Sequence, residues 1–216
     1  MSTTSTPVTA ELFEFIRRST IAQDLLLGDL RQAAREAGLP EIHIAPEQAA
    51  FLQITLAAMG AKTVVEIGTL GGYSAIAMAR GLPADGRVIT HEIEPAHAEF
   101  ARRWIDRSDQ KGKIEVRLGN AHETLPELAD GSACAVFLDA DKEGYPAYFE
   151  QAMRLLRPGG ALFADNVLAD GTIAAAGEDS PKLRGLRAFL DRAAAEPGLR
   201  GIIVPVGDGC YFGVRS

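Results

Sequence analysis

Four residues in the second half of the chain carry the strongest chemical signal. Asp139 and Asp165 each close an apolar run, Phe137-Leu138-Asp139 and Phe163-Ala164-Asp165, and Asn166 follows the second. If both runs are strands with neighbouring ends, these three side chains offer oxygen ligands from two adjacent strand ends. Hard oxygen donors without His or Cys select Mg²⁺, Mn²⁺ or Ca²⁺ over zinc. Three such ligands leave about three of six octahedral positions for water and a bound molecule, and two adjacent hydroxyls could fill two of them. Lys142 lies three residues past Asp139. A nearby cation lowers a lysine's pKa, so Lys142 is a candidate general base for a hydroxyl acidified by the metal, or an anchor for the resulting oxyanion. Each acid alone is compatible with a turn or a helix cap, and Lys142 alone with a surface loop; the combination carries the argument.

A second constellation lies upstream. The run Thr63 to Ile67 is followed by glycines at 68, 71 and 72 and by an apolar stripe from Ser74 to Arg80. Strand, glycine turn and helix open a nucleotide-binding βαβ unit, where glycine lets backbone approach a ligand at angles a Cβ would forbid. The spacing is G-x-x-G-G, not the G-x-G-x-x-G of a dinucleotide site. Glu66 precedes the first glycine, and a carboxylate there repels phosphate but suits an ammonium or sulfonium. That favours S-adenosylmethionine over NAD. Glu92 ends the next strand candidate, 26 residues on, near the spacing of the acid that grips ribose hydroxyls in Rossmann-type folds. Near Ala121 a backbone amide could bond an adenine edge; a plain helix start fits equally.

These residues need strands to hold them. From Thr63 the pattern alternates: strand candidates at 63–67, 88–93, 113–118, 133–139 and 160–165, and helix candidates at 73–81, 95–107, 121–129 and 146–156. A helix near 181–195 precedes strands near 201–206 and 210–215, joined through Gly207-Asp208-Gly209. Such alternation argues for a mostly parallel, three-layer α/β sheet, and the terminal hairpin adds an antiparallel edge. Ahead of it, residues 1–8 read as a frayed tail. Helices are expected at Glu11–Arg18 and Ile21–Ala37 (with Leu25, Leu26 and Leu30), and a third is opened by Pro46 and ended by Gly60. This lead-in, 1–60, could cap the ligand crevice of the 61–216 core or supply a subunit interface. His43, His91, His97 and His122 have no triad or metal spacing and read as surface or packing residues, and Trp104 reads as core.

The totals are those of one globular domain: 216 residues, 47% apolar and 24% charged. A net charge of −7 gives no basic footprint for nucleic acid or an anionic membrane. No apolar run reaches the length of about 20 residues that spans a bilayer, and Met1–Ala10 has no signal-peptide core. Cys134 and Cys210 lie in apolar runs without C-x-x-C spacing, as buried thiols of a reducing compartment do. A cytoplasmic protein is the expectation.

Together the motifs resemble the cation-dependent O-methyltransferases, the catechol and caffeoyl-coenzyme A family. The matching stretches are Glu66-Ile67-Gly68-Thr69 with Gly72-Tyr73-Ser74, Asp139-Ala140-Asp141-Lys142-Glu143-Gly144-Tyr145, Leu156-Arg157-Pro158-Gly159-Gly160, Asp165-Asn166-Val167-Leu168 and Gly207-Asp208-Gly209. The resemblance implies a Rossmann-like seven-stranded methyltransferase sheet with helices on both faces, and a homodimer. It implies that Glu66, Gly68, Thr69, Tyr73, Ser74, Glu92, Ala121 and Asp139 line the S-adenosylmethionine site, with Glu92 on the ribose and Ala121 on the adenine. It implies that Asp139, Asp165 and Asn166 bind Mg²⁺ (or Mn²⁺ or Ca²⁺) and that Lys142 is the base. The departures concern the acceptor: Ala169 replaces a tryptophan of plant members, and the loop Asp170–Ser180 is small and polar.

The reaction expected is methyl transfer from S-adenosylmethionine to a phenolic hydroxyl of a vicinal diol on an aromatic ring. The rivals are a tRNA hydroxyuridine methyltransferase of the same family, against which the acidic charge argues, and a non-catalytic S-adenosylmethionine binder, against which the oxygen triplet with Lys142 argues. A nicotinamide dehydrogenase would need the phosphate cradle that the glycine spacing does not supply.

Overall fold

The structure is a computed structural model and describes residues 6, 8–20, 24–175, 177 and 179–216. The frayed tail expected over 1–8 falls largely on residues outside this set, as do the start of the helix expected from Ile21 and two positions, 176 and 178, of the polar loop.

Three lead-in helices, α1 (Ala10–Thr20), α2 (Leu25–Glu36) and α3 (Pro46–Ala58), precede the alternating core. The core runs β1 (Thr63–Ile67), α4 (Tyr73–Arg80), β2 (Arg87–Glu92), α5 (Pro95–Arg107), β3 (Ile114–Leu118), α6 (Ala121–Thr124), β4 (Ala133–Leu138), α7 (Tyr145–Leu155), β5 (Leu156–Ala164), α8 (Pro181–Ala195), β6 (Leu199–Val204) and β7 (Cys210–Arg215). Asp24 caps α2, its Oδ1 accepting from the Leu27 N–H at 2.9 Å. The buried stripe of α2 is Leu27, Leu30 and Ala34, while Leu25, expected on the apolar stripe, faces solvent.

All seven strands form one sheet in the order β3-β2-β1-β4-β5-β7-β6. The first five are parallel. The hairpin is antiparallel as expected, but the last strand in sequence, β7, slots between β5 and β6 and leaves β6 at the edge. Alternation along the strands sorts side chains into two cores. Phe137 and Phe163 pack with α2, α3, α4 and α5, whereas their neighbours Leu138 and Ala164 pack with α6, α7 and α8. Two boundaries depart from the sequence reading. The helix expected over 121–129 ends at Thr124 and continues as a 3₁₀ turn, Leu125–Glu127, where Pro126 cannot donate an i→i−4 bond. Strand β5 starts at Leu156 rather than 160, because residues preceding a proline favour extended backbone and Arg157 precedes Pro158.

Strand order reverses between β1 and β4, so the chain leaves the sheet in opposite directions from their carboxyl ends. A crevice opens there, the place where open α/β sheets bind ligands.

Candidate active site

A cavity of about 870 Å³ fills this crevice. Its floor is the turn after β1. Gly68 donates to the His91 carbonyl at 3.0 Å, and Asp139 donates to the Ile67 carbonyl at 2.8 Å, so three strand ends are tied side by side. Gly68 has φ +101°, and a Cβ there would meet the Asp139 carbonyl oxygen at 2.2 Å. Only glycine lets the β1 turn and the β4 end approach so closely.

At the β1–β2 end, Glu92 is buried and accepts two backbone hydrogen bonds. Its Oε2 takes the Leu70 N–H at 2.7 Å and its Oε1 the Glu94 N–H at 2.9 Å. Each oxygen retains acceptor capacity, and Glu92 lines the cavity. Gly68, Thr69, Tyr73 and Ser74 line the same end, and Ala121 closes it at the start of α6. Asn120 caps that helix, its Oδ1 accepting from the His122 N–H at 3.0 Å. The helix-start reading of this segment therefore holds, and Ala121 still faces the cavity.

Glu66 departs from its expected place. It is fully buried in β1 and does not line the cavity. Burial pushes its carboxyl up to about 8; the Ser74 and Thr90 hydroxyls pull against that rise, and neither closes a hydrogen bond to it. Thr90 Oγ1 pairs instead with Thr69 Oγ1 at 2.6 Å. Glu66 thus stands behind the cavity wall, within electrostatic reach of both Glu92 and Asp139.

At the β4–β5 end the sequence-chosen residues converge. Asp139, Lys142, Asp165 and Asn166 all line the cavity. Asp139 keeps 18% of its side-chain surface open and sits 3.1 Å from Lys142 Nζ. Burial raises its carboxyl to about 7; Lys142 pulls it down and Asp165 adds to the rise. Asp165 is raised as well, first by burial, with Gln48, Lys142 and the Asn166 N–H opposing. Its Oδ1 accepts from Gln48 Nε2 and from the Asn166 N–H, each at 2.7 Å. Asp165 Oδ2 and the Asn166 side-chain amide make no hydrogen bond among the described residues. Asn166 holds φ +56°, a left-handed angle that asparagine tolerates and that turns it back over the strand end.

Two groups that sequence reasoning passed over hold this end in place. Gln48, in the first turn of α3, is buried and reaches Asp165 across the crevice. Glu47, Gln53 and Thr55 share that helix, so nothing in the sequence singles out Gln48 among its polar positions. Gly185 of α8 lies against the turn that carries Lys142: a Cβ would meet the Lys142 carbonyl oxygen at 2.1 Å. Nothing local in the sequence marks that contact. Of the histidines read as surface or packing residues, His43 packs on Tyr73, His91 pairs with Thr124 Oγ1 at 2.7 Å and His122 stacks on Tyr148. His43, His91 and His97 all line the cavity, and burial holds His43 and His91 down at about 4, as neutral imidazoles. His43 arrives on the segment Pro40–Ala45, so the lead-in does cover the chain's own crevice.

With this geometry in view, the comparisons with known proteins are decisive. The O-methyltransferase family model matches residues 17–216. The chain belongs to this family. It is 43% identical over 169 residues to a catechol O-methyltransferase of Niastella koreensis, covering 77% of this chain and 76% of that protein. It is 40% identical over 185 residues to a catechol O-methyltransferase of Mycobacterium tuberculosis, covering 86% and 84%. The solved structure of an O-methyltransferase from Bacillus cereus in complex with S-adenosylhomocysteine superposes with TM-score 0.88 at 36% identity, over 94% of this chain and 96% of that one. The chain is thus an S-adenosylmethionine-dependent O-methyltransferase of the catechol and caffeoyl-coenzyme A type. Among the described residues no helix is long and apolar enough to cross a membrane.

Proposed function

We propose that this O-methyltransferase methylates one hydroxyl of a vicinal aromatic diol and requires a divalent cation held by Asp139, Asp165 and Asn166. The observation that carries the reading is the charge balance of the β4–β5 end. Burial raises both carboxyls, Asp165 adds to the rise at Asp139, the single ammonium of Lys142 opposes both, and oxygens of Asp165 and Asn166 are left as free ligand atoms. A hard divalent ion suits that donor set. Among the described residues no cluster of three or more His, Cys, Asp or Glu side chains forms a metal site, so the third ligand in this reading is the Asn166 amide.

When bound, the ion would chelate both hydroxyls of the diol and lower the pKa of one. The chain's own residues do the rest. Glu92 is poised for the cofactor's ribose, and the glycine turn lets backbone lie close to its amino-acid end. Lys142 Nζ, as the ammonium, neutralises the oxyanion left when the acceptor hydroxyl loses its proton, or, as the amine after giving up its own proton to solvent, takes up that of the hydroxyl. Holding that oxygen in line with the methyl group supplies much of the rate. A small acceptor is supported by the cavity volume, and a homodimer by Phe15 and Ile54, apolar side chains left exposed on α1 and α3.

The test is incubation with S-adenosylmethionine and a panel of catechols, with Mg²⁺ or with EDTA, read by product mass. A monomethylated catechol that disappears with EDTA is the expected result. Methylation that survives EDTA removes the metal role, and no product with cofactor bound removes the catechol acceptor.

A further inference from the structure

Tyr145 is the first residue of α7, completely buried beneath the cavity floor, and its hydroxyl is a three-way junction. It lies 2.8 Å from the Leu138 carbonyl and 3.0 Å from the Asp165 carbonyl. A phenol has one proton, so that proton is committed to the carbonyl pair. The oxygen's lone pairs then face Lys142 Nζ, which donates to it at 2.8 Å. Leu138 is the residue before Asp139, and Asp165 closes β5. One hydroxyl therefore ties together the ends of both strands and the ammonium that stands beside them.

We propose that Tyr145 is a positioning residue of the transfer reaction, its hydroxyl holding Lys142 Nζ beside the acceptor oxygen. The inference rests on the reading of Lys142 given above and extends it. A lysine has a flexible four-carbon stem and would otherwise sample many rotamers. Here both ends of the side chain are constrained. The backbone of Lys142 is pressed against Gly185, and its turn is capped by Asp141 Oδ2, which accepts from the Gly144 N–H at 2.9 Å. The head is held by Tyr145, whose ring packs edge-on against Phe189 at 5.6 Å and lies 4.8 Å from the ammonium. Asp139 also holds Lys142, but Asp139 faces the acceptor and would be drawn to any cation there. Tyr145 lies beneath the floor and has no such competing partner, so it keeps Lys142 in place whatever Asp139 binds.

The experiment is a kinetic cycle of Tyr145→Phe, Lys142→Met and the double variant, with S-adenosylhomocysteine binding by calorimetry confirming the folded state. Tyr145→Phe keeps the ring and removes only the hydroxyl. It should lower kcat about tenfold with both KM values nearly unchanged, a part of the loss of about a hundredfold or more expected for Lys142→Met. The double variant should be no slower than Lys142→Met alone, because Tyr145 acts only through the lysine. Full turnover in Tyr145→Phe overturns the proposal, and so does a double variant whose loss is the product of the two single losses. Full turnover in Lys142→Met overturns the role of Lys142 and the proposal with it, a result distinguishable from failure of Tyr145→Phe alone. If Tyr145→Phe does not bind S-adenosylhomocysteine, fluorination of the Tyr145 ring beside the hydroxyl keeps the fold and weakens the oxygen as an acceptor. A several-fold lower kcat then supports the proposal, and an unchanged kcat overturns it.

Discussion

At the β1–β2 end of the cavity, Glu92 has each oxygen satisfied by a backbone N–H before any ligand arrives. At the β4–β5 end, Asp139 and Asp165 are pressed together with Lys142 as their shared cation, and both carboxyls are raised. The two ends are one glycine apart, at Gly68. The first presents a side chain whose geometry the backbone dictates. The second keeps an electrostatic debt that an incoming cation would cancel. In the function proposed above, this contrast is a division of labour: the turn supplies affinity for the cofactor, and the aspartate pair supplies reactivity toward the acceptor.

The sharpest way to break the comparison is Asp139→Ala. It should lower kcat/KM for a catechol by about a hundredfold or more while S-adenosylhomocysteine affinity changes little, as expected for a group used mainly in the transition state. The same variant should lose any rise in melting temperature that Mg²⁺ gives the parent protein, since an ion that binds only the folded state stabilises it by mass action. An Asp139→Ala enzyme that turns over normally, or that loses cofactor binding first, would erase the distinction between the ends.

Gly68→Ala attacks the hinge between them. The new Cβ would overlap the Asp139 carbonyl and force a left-handed residue into strain of about 1–3 kcal/mol. Both cofactor KM and kcat should suffer together, unlike either single-end variant; steady-state kinetics separate these cases. Glu92→Gln acts on one end only. Loss of a charged hydrogen-bonding group is worth about 1.5–3 kcal/mol, so cofactor KM should rise roughly tenfold to a hundredfold with kcat largely kept.

Glu66→Gln should have the smallest effect on turnover and a clear one on stability. Its folded carboxyl lies at about 8 against an ordinary value of 4.5. Between those values the folded chain holds a proton that the unfolded chain releases. Stability from this group is therefore complete below the lower value and declines as pH rises through the window, by up to about 1.4 kcal/mol per pH unit. The neutral glutamine removes that decline. Denaturant midpoints of parent and variant should diverge as pH rises from about 5 to 8, with the variant the more stable at the upper end; parallel curves would show that Glu66 is ionised and solvated like an ordinary glutamate.

Much of this molecule was legible in one dimension. The alternation of apolar runs placed α5 at 95–107 and α8 at 181–195 with the bounds the structure shows, because each starts at a proline in the first helical turn. Asp139, Lys142, Asp165 and Asn166 were legible because strand ends point their polar residues into one crevice. The strand β5 was misjudged at its start, because a Pro-Gly-Gly stretch reads as a turn while the pairing of Leu156 with Ala133 keeps it in the sheet. At Glu66 the sequence left the orientation open. Its position beside the glycines is a fact of sequence, but which way a strand residue points depends on which face of the sheet is buried and on what covers it.

The sequence by itself determined the family, the order of elements, and the strand ends where polar side chains gather, since each follows from local periodicity and short motifs. Only the tertiary structure decided which of those side chains face ligand and what supports them. Gln48 meets Asp165 across 117 positions of chain, Gly185 meets the Lys142 turn from α8, and the Tyr145 hydroxyl bridges two strands. Contacts of this kind leave no periodic trace, because they are made by distant elements packed on opposite faces of one sheet. They nevertheless hold the carboxylates and the lysine in the arrangement on which the proposed function rests.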